Sequence, residues 1–349
     1  MRINGYTHKP VYNQNFNGLL HVDRNNGNIN DSWFFRDPDA LKLSSDTIKI
    51  AFPEGADILD YACSNGEETI SLKTLLQDPK YRIIGYDTST DAIKLGRRGV
   101  YTLFSNWHDS YLLPPKYYFI ENNKKYAGLP PETIKHLRRN FNSVMEEIPE
   151  QKEYRNINNK SSFVSLKYNI PNFVEKFYKP KAEFTDQIDL RLGNIINIGN
   201  IRKERPIGGI FFRNAFYHLC DNNIVEVINQ NAKINQSTYS RYRIIDYIID
   251  GVDKVLDNKG VFVIGNNIKD HLFLADESLP LSKTIPFSQT SFYNPIMKHH
   301  QKYANLLCYK TSPLITSLIK HKFRPIGFSI VSLRTKKIKL PTVWQKIRL

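Results

Sequence analysis

The sequence predicts an α/β fold: a mostly parallel, doubly wound sheet, interrupted by an inserted subdomain and followed by a basic C-terminal extension. Three observations predict it. Strand-like and helix-like segments alternate between residues 58 and 97, the alternation returns after residue 184, and a polar, proline-marked stretch separates the two blocks. Strands spaced by helices of this length pair in parallel, because each helix carries the chain back to the edge where the next strand starts.

Residues 1–29 are polar, rich in Asn and Gly and without period, and read as an N-terminal arm. In DPDALKLSSDTIKIAF, Pro38 opens a short helix, since its fixed φ suits the first helical turn. The apolar run Ile58, Leu59, Tyr61, Ala62, Cys63 predicts a buried strand. It breaks at Ser64-Asn65-Gly66, and Glu67 and Glu68 then open a helix reaching Gln77. YRIIGYD (81–87) and Thr90–Arg97 repeat the strand-helix pair.

Residues 103–182 carry Pro114-Pro115, Pro130-Pro131 and the polar run QKEYRNINNKSS, and read as an inserted subdomain with helix and hairpin pieces of its own. The α/β pattern resumes with FTDQIDLRLGNI (184–195), the extended GGIFFRNAF (208–216), a helix over Tyr239–Leu256 and the strand GVFVIGN (260–266). Residues 270–322 are irregular, and GFSIVSL (327–333) supplies a last strand to close the sheet. The core domain is therefore expected over 30–102 and 183–349.

Composition narrows the class. A chain of 349 residues, 41% hydrophobic and 24% charged, can bury a sizeable core. No apolar run approaches the roughly 18 residues of a membrane span, and MRINGYTHKP lacks the apolar core of a signal peptide. Cys63, Cys220 and Cys308 lie far apart with no Cys-x-x-Cys, which speaks against a zinc site and a disulfide framework. A reducing, cytoplasmic environment is the expectation; a bacterial protein delivered into a host cytosol would read the same. Of the formal charge of +15, most comes from residues 283–349, which hold thirteen Lys or Arg and no Asp or Glu. That stretch is either a solvated basic surface or a docking face for an acidic protein, nucleic acid or membrane surface.

The chemistry lies at the turn after the first strand. Asp87 ends the second strand about twenty residues beyond that turn, where an acidic residue accepts hydrogen bonds from ribose hydroxyls in dinucleotide folds. A pyrophosphate at the turn would need bare backbone N–H groups and no negative charge nearby. Glu67 and Glu68 oppose it and favour a cationic group, as in S-adenosylmethionine, which joins an adenosine ribose to a sulfonium and an α-amino group. The two glutamates would equally complement the helix dipole with no ligand at all.

ACSNGEETISL closely resembles the ACSTGEEPYS loop of the chemotaxis-receptor glutamate methyltransferases (CheR type). NDSWFFRDP (30–38) is similar to that family's N-x-T-x-FFRE segment, and FFRNAFYHL (211–219) to its FCRNVMIYF. IDGVDKVLDNKGVFVIGN is similar to its LxxxxxxLKPxGxLxxGH segment. The resemblance spans roughly residues 30–102, 184–270 and 323–334. It implies a Rossmann-like class I methyltransferase fold and S-adenosyl-L-methionine as cofactor, with S-adenosyl-L-homocysteine as product. It also implies roles. Asn30, Ser32 (Thr in the family) and Arg36 would line the methyl-transfer site. Cys63 and Gly66 would belong to the cofactor turn, with Glu68 meeting the amino group. Asp87 would hold the ribose, Asn194 and Ile195 (Leu in the family) would flank the adenine, and Arg213 and Asn214 would complete the pocket floor. No metal is implied.

The chain departs from the family in three places. Only about thirty residues precede NDSWFFRDP, so the family's receptor-holding helical domain is expected to be absent. The insertion at 103–182 and the basic stretch are longer than the family's own additions. His218 stands at the family's tyrosine near the methyl-transfer point, with Tyr217 one place earlier. The expected activity is methylation of a protein side chain, a carboxylate by preference, with Arg36 orienting it. An amine or hydroxyl acceptor would make His218 the base. Nucleic-acid or small-molecule methylation is the alternative, although no Asn/Asp-Pro-Pro-Tyr or Pro-Cys signature is present. The non-enzyme alternative is a cofactor-binding scaffold whose active site has degenerated.

Overall fold

The computed structural model describes residues 34–105, 118–121, 124–127, 131–149, 174–219, 241–266, 285–286, 307–308, 313–333 and 336–347. Helix α1 (Pro38–Ala51) leads into β1 (Ala56–Tyr61), α2 (Glu67–Leu75), β2 (Tyr81–Asp87) and α3 (Thr90–Arg97). Every bound from β1 to α3 falls within two residues of expectation. Helix α3 starts where Ser89 Oγ accepts from the Ala92 N–H at 3.2 Å, an N-cap that satisfies one of the helix's open donors.

The chain continues through β3 (Tyr101–Ser105), β4 (Tyr118–Glu121), β5 (Lys124–Ala127), α4 (Pro131–Val144), β6 (Met145–Ile148) and β7 (Val174–Pro180). Strands β3, β7 and β6 form a separate antiparallel sheet, and β4 pairs with β5. Then come α5 (Ala182–Thr185), β8 (Ile188–Leu192), a 3-10 segment (Ile195–Asn200), β9 (Ile207–Phe212), α6 (Phe216–Leu219), α7 (Arg241–Val255) and β10 (Val261–Ile264). The pair β11 (Ile285–Pro286) and β12 (Leu307–Cys308), α8 (Pro313–Lys320), β13 (Phe323–Leu333) and β14 (Lys336–Lys346) complete the described elements.

The main sheet has the order β13-β14-β10-β9-β1-β2-β8. Strands β8, β2, β1, β9 and β10 are parallel, while β14 runs antiparallel to both its neighbours. One face buries Leu41 and Ile48 of α1 with Leu72 and Leu75 of α2 against Ile58, Ile83 and Val263. The other buries Ile245, Ile248 and Val252 of α7 with Leu314 and Leu318 of α8 against Leu59, Ile210 and Phe262. Helices on both faces of a mostly parallel sheet make a Rossmann-like, doubly wound α/β fold. The order reverses at β1: the chain moves outward through β2 to β8, then returns to β9 on the other side. A crevice therefore opens between the C-terminal ends of β1 and β9, where ligands of such sheets bind.

Two expectations are corrected. The strand expected over 208–216 ends at Phe212, because Asn214 takes a left-handed φ of 56° and the chain turns into α6. Asn tolerates that region, while an extended ladder cannot pass through it. His218 accordingly sits on a short helix, and its side chain and that of Tyr217 lie outside the described residues. Second, the sheet is not closed by 327–333 alone: β14, from the basic stretch, inserts between β10 and β13. One cation of that stretch serves inside the fold: Lys346 is 3% exposed and pairs with Asp253 at 2.9 Å, while the pair of Lys320 with Asp246 at 2.6 Å lies on the surface. The N-terminal arm, Asn30, Ser32 and most of 270–322 lie outside the described residues.

Lys73 of α2 is fully buried and donates from Nζ to the carbonyls of Asp78 (3.1 Å) and Tyr81 (2.9 Å). Burial pulls its amine down to about 8, against the opposing pull of Asp78. Between that value and the ordinary lysine range the unfolded chain binds more protons, so this group's contribution to stability rises with pH. The stability difference between wild type and Lys73→Met should therefore grow by about 2 kcal/mol in favour of wild type from pH 7.5 to 10. Urea melts of both proteins at the two pH values measure it. A constant difference would mean that Lys73 keeps its charge throughout.

Candidate functional site

At the end of β1 the chain makes a tight polar turn into α2. Ala62, Ser64 and Gly66 alternate in left-handed backbone, with φ of 59°, 54° and 92°. Glycine is needed at the last: a Cβ on Gly66 would lie 3.0 Å from Leu190 Cδ1 and 3.1 Å from the Tyr101 hydroxyl. Phe35 (50°), Asp37 (55°) and Asn214 (56°) bring more left-handed, non-glycine residues to the crevice. Strain of this kind persists only where surrounding structure enforces it, and it gathers at ligand sites.

Three of the turn's backbone donors are already engaged. Cys63 N–H donates to the Tyr86 carbonyl (3.1 Å), Gly66 N–H to the Cys63 carbonyl (2.9 Å) and Ser64 N–H to Asp87 Oδ2 (2.7 Å). Asp87 Oδ1 also accepts from the Ser89 N–H at 2.8 Å. A carboxylate has about four acceptor sites, so Asp87 keeps capacity beyond its backbone bonds. Burial pushes its carboxyl up, against the lowering effect of the Ser89, Ser64 and Thr88 N–H groups. Among the described residues, Ser64 Oγ, Asn65 Oδ1 and Glu68 Oε1 are buried and take no hydrogen-bond partner. The turn thus presents acceptors without open N–H donors at Cys63, Ser64 or Gly66.

The crevice joins three segments far apart in sequence. Arg213, just past β9, donates from one guanidinium nitrogen to Glu68 Oε2 at 2.9 Å and from another to the Arg36 carbonyl. Phe35 N–H donates to Ser71 Oγ at 2.9 Å, and Ser329 Oγ donates to Asp37 Oδ2 at 2.5 Å. Phe34 packs edge-on against Tyr101 and Phe141, so the FFRD segment is pinned as one wall of the crevice. The Arg36 side chain is half-buried and near enough to act on Glu68. Burial pushes the Glu68 carboxyl up, against the pull of Arg213 and then Arg36.

No role is expected for Asp60 from the sequence, yet it lies in β1 under the turn, 1% exposed, accepting from Thr69 Oγ1 at 2.7 Å. Burial first, and Glu68 second, hold its carboxyl well above the usual range. A signal was present: an acid inside an apolar run read as a buried strand requires a partner. Glu67, Glu68 and Asp87 bring carboxyl groups to the site, with Asp60 held toward its neutral form beneath them and Arg213 and Arg36 as the facing cations.

The other expected residues are dispersed by role. Cys63 is 1% exposed and packs with Ile93 and Leu190 beneath the turn, its thiol pushed up chiefly by burial. Asn194, after β8, accepts at Oδ1 from the Ile196 N–H (3.1 Å) and caps the 3-10 segment, while Ile195 is buried in the core. Asn214 fits tightly against the end of β10, where a Cβ on Gly265 would lie 2.2 Å from Asn214 Oδ1. Among the described residues no cluster of His, Cys, Asp or Glu could hold a metal ion, and no helix is long and apolar enough to cross a membrane.

No protein-family model matches the chain, and no curated protein matches it. Among solved structures it is similar to an S-adenosylmethionine-dependent methyltransferase from Methanosarcina mazei, at 12% identity and TM-score 0.32 over 84% of this chain and 93% of that one. It is also similar to the N-methyltransferase NodS from Bradyrhizobium japonicum WM9, at 10% identity and TM-score 0.34 over 90% of this chain and 100% of that one. Likenesses this loose carry no argument about chemistry, which rests on the crevice itself.

Proposed function

We propose that this chain is an S-adenosylmethionine-dependent methyltransferase of CheR-like type that methylates a protein side-chain carboxylate. One observation carries the reading: the turn after β1 offers buried acceptors at Ser64, Asn65 and Glu68, while its N–H groups at Cys63, Ser64 and Gly66 are already bonded. A pyrophosphate requires the opposite arrangement. An ammonium brings three donors and a positive charge, and both fit.

When bound, the cofactor supplies an electrophilic methyl group on a sulfonium. Glu68 Oε1, with Ser64 and Asn65, receives the donors of its amino group, and Asp87 accepts from its ribose hydroxyls. Ionised Glu68 and Asp87 favour a cation in the crevice, and a bound cation would in turn favour their ionised forms. A carboxylate acceptor is already ionised and needs no base, so the chain's work is to orient it and exclude water. Arg36, on the pinned FFRD segment, is placed to do this by a charge-assisted contact.

Calorimetry tests the reading: S-adenosylhomocysteine should bind and NAD should not. Asp87→Ala should weaken the binding by roughly 1.5–3 kcal/mol, the range for hydrogen bonds to a charged group. Unchanged affinity in that variant would remove Asp87 from the ribose site. Binding without turnover on any acceptor would leave a cofactor-binding scaffold.

A further inference from the structure

We infer that Arg213 is a positioning residue that braces the cofactor turn to the FFRD wall, so that cofactor binding and the ordering of Arg36 are one event. The inference deepens the methyltransferase reading and rests on it. It also changes the role the sequence suggested for Arg213, from floor of the pocket to cross-member behind it.

The geometry points this way. The Arg213 side chain is 2% exposed and spans two separate segments. Its bond to Glu68 Oε2 joins residues 145 apart in the chain, and its bond to the Arg36 carbonyl joins residues 177 apart. With Oε2 held, the Glu68 rotamer is fixed and Oε1 is left buried without a hydrogen-bond partner. The Arg36 carbonyl is held between two left-handed residues, Phe35 and Asp37, a backbone path that relaxes without an anchor. Only a planar, forked cation reaches both partners at once, since an ammonium on a lysine stem is a single point of charge.

Charge makes the brace functional as well as mechanical. The groups facing Glu68 are Arg213, Arg36, Asp37, Asp60 and the Cys63 thiol. Three of these oppose its ionisation or are neutral, and the larger of the two cations' effects is that of Arg213. Without Arg213, Glu68 would be a buried carboxylate beside Asp60 and Asp37, and would take up a proton at higher pH. A neutral Glu68 cannot attract an ammonium.

The test combines S-adenosylhomocysteine calorimetry from pH 6 to 8 with hydrogen exchange at Phe35–Asp37, on wild type, Arg213→Met, Arg213→Lys and Glu68→Gln. Arg213→Met should weaken binding about tenfold or more at pH 7 and move the acid-side loss of affinity to higher pH, as expected when one partner of a buried pair is removed. Arg213→Lys should return that loss toward its wild-type pH without restoring ligand-induced protection of Phe35–Asp37. A role in packing alone would leave the pH profile where it was, and that result would overturn the inference. A thermal-melt cycle over Glu68→Gln and Arg213→Lys needs no ligand and covers the case in which Arg213→Met does not fold. Non-additive melting shifts support the brace and additive shifts remove it. Failure of wild type to bind S-adenosylhomocysteine would refute the methyltransferase reading, and the cycle would still decide on the brace.

Discussion

Arg36→Ala should lose on the order of 10²-fold or more in kcat/KM, while His218→Phe should leave turnover nearly unchanged, the pattern of a carboxylate acceptor that needs orientation and no base. The readout is methyl label passed from S-adenosylmethionine to acceptor protein and released by alkali, as a carboxyl ester requires. Arg36 is the group to test because its main chain is fixed by Arg213 and its segment by Ser71 and Ser329, leaving its guanidinium beside Glu68 at the crevice. With an ionised acceptor the rate should be flat above about pH 6. An amine or hydroxyl acceptor would reverse the pattern. His218→Phe would then cost about 10²–10⁴-fold and erase a titration near neutrality. Both variants need an S-adenosylhomocysteine titration alongside, because lost binding imitates lost chemistry. Full activity of Arg36→Ala with cofactor bound would sink the proposed site for either acceptor.

Trp344→Ala should destabilise the protein by about 3–5 kcal/mol, the range for emptying a large buried aromatic site. Trp344 is fully buried on β14, opposite Phe262 of β10 and Pro325 of β13, in the core that also holds Phe216, Phe323 and Ile248. Its indole N–H donates to the Pro341 carbonyl at 3.1 Å, so truncation removes a satisfied polar group with its ring. Trp344→Phe should recover more than half of the loss. Urea denaturation measures both. A loss below about 1 kcal/mol would show that the β13–β14 hairpin is a detachable cover, since surface changes fall within that size.

That hairpin also marks where the sequence stopped being legible. The segment KKIKLPTVWQK reads as a basic tail with a proline, and nothing local in it declares a strand. It forms one because Val343 and Trp344 are buried between β10 and β13. Pro341 is tolerated because β10 ends its pairing at Val343 and the β13–β14 register breaks between Val343 and Pro341, so the proline sits at an irregularity with a ladder neighbour on one side only.

What the sequence determined by itself was the local part. The β1–α2–β2–α3 run was legible because side-chain periods of about two and 3.6 residues are properties of neighbours in the chain. So were the acidic turn at Glu67 and Glu68 and the placing of Asp87 at the end of β2, which depend on spacing alone. The tertiary structure decided the rest. It ended β9 at Phe212 through the left-handed turn at Asn214, placed the acid of Asp60 beneath the turn, and joined Glu68 to Arg213 and Arg213 to the Arg36 carbonyl. A carboxylate exposed at a helix start and one held in a buried ion pair are written with the same letter. Only burial, which depends on residues 145 positions away, tells them apart.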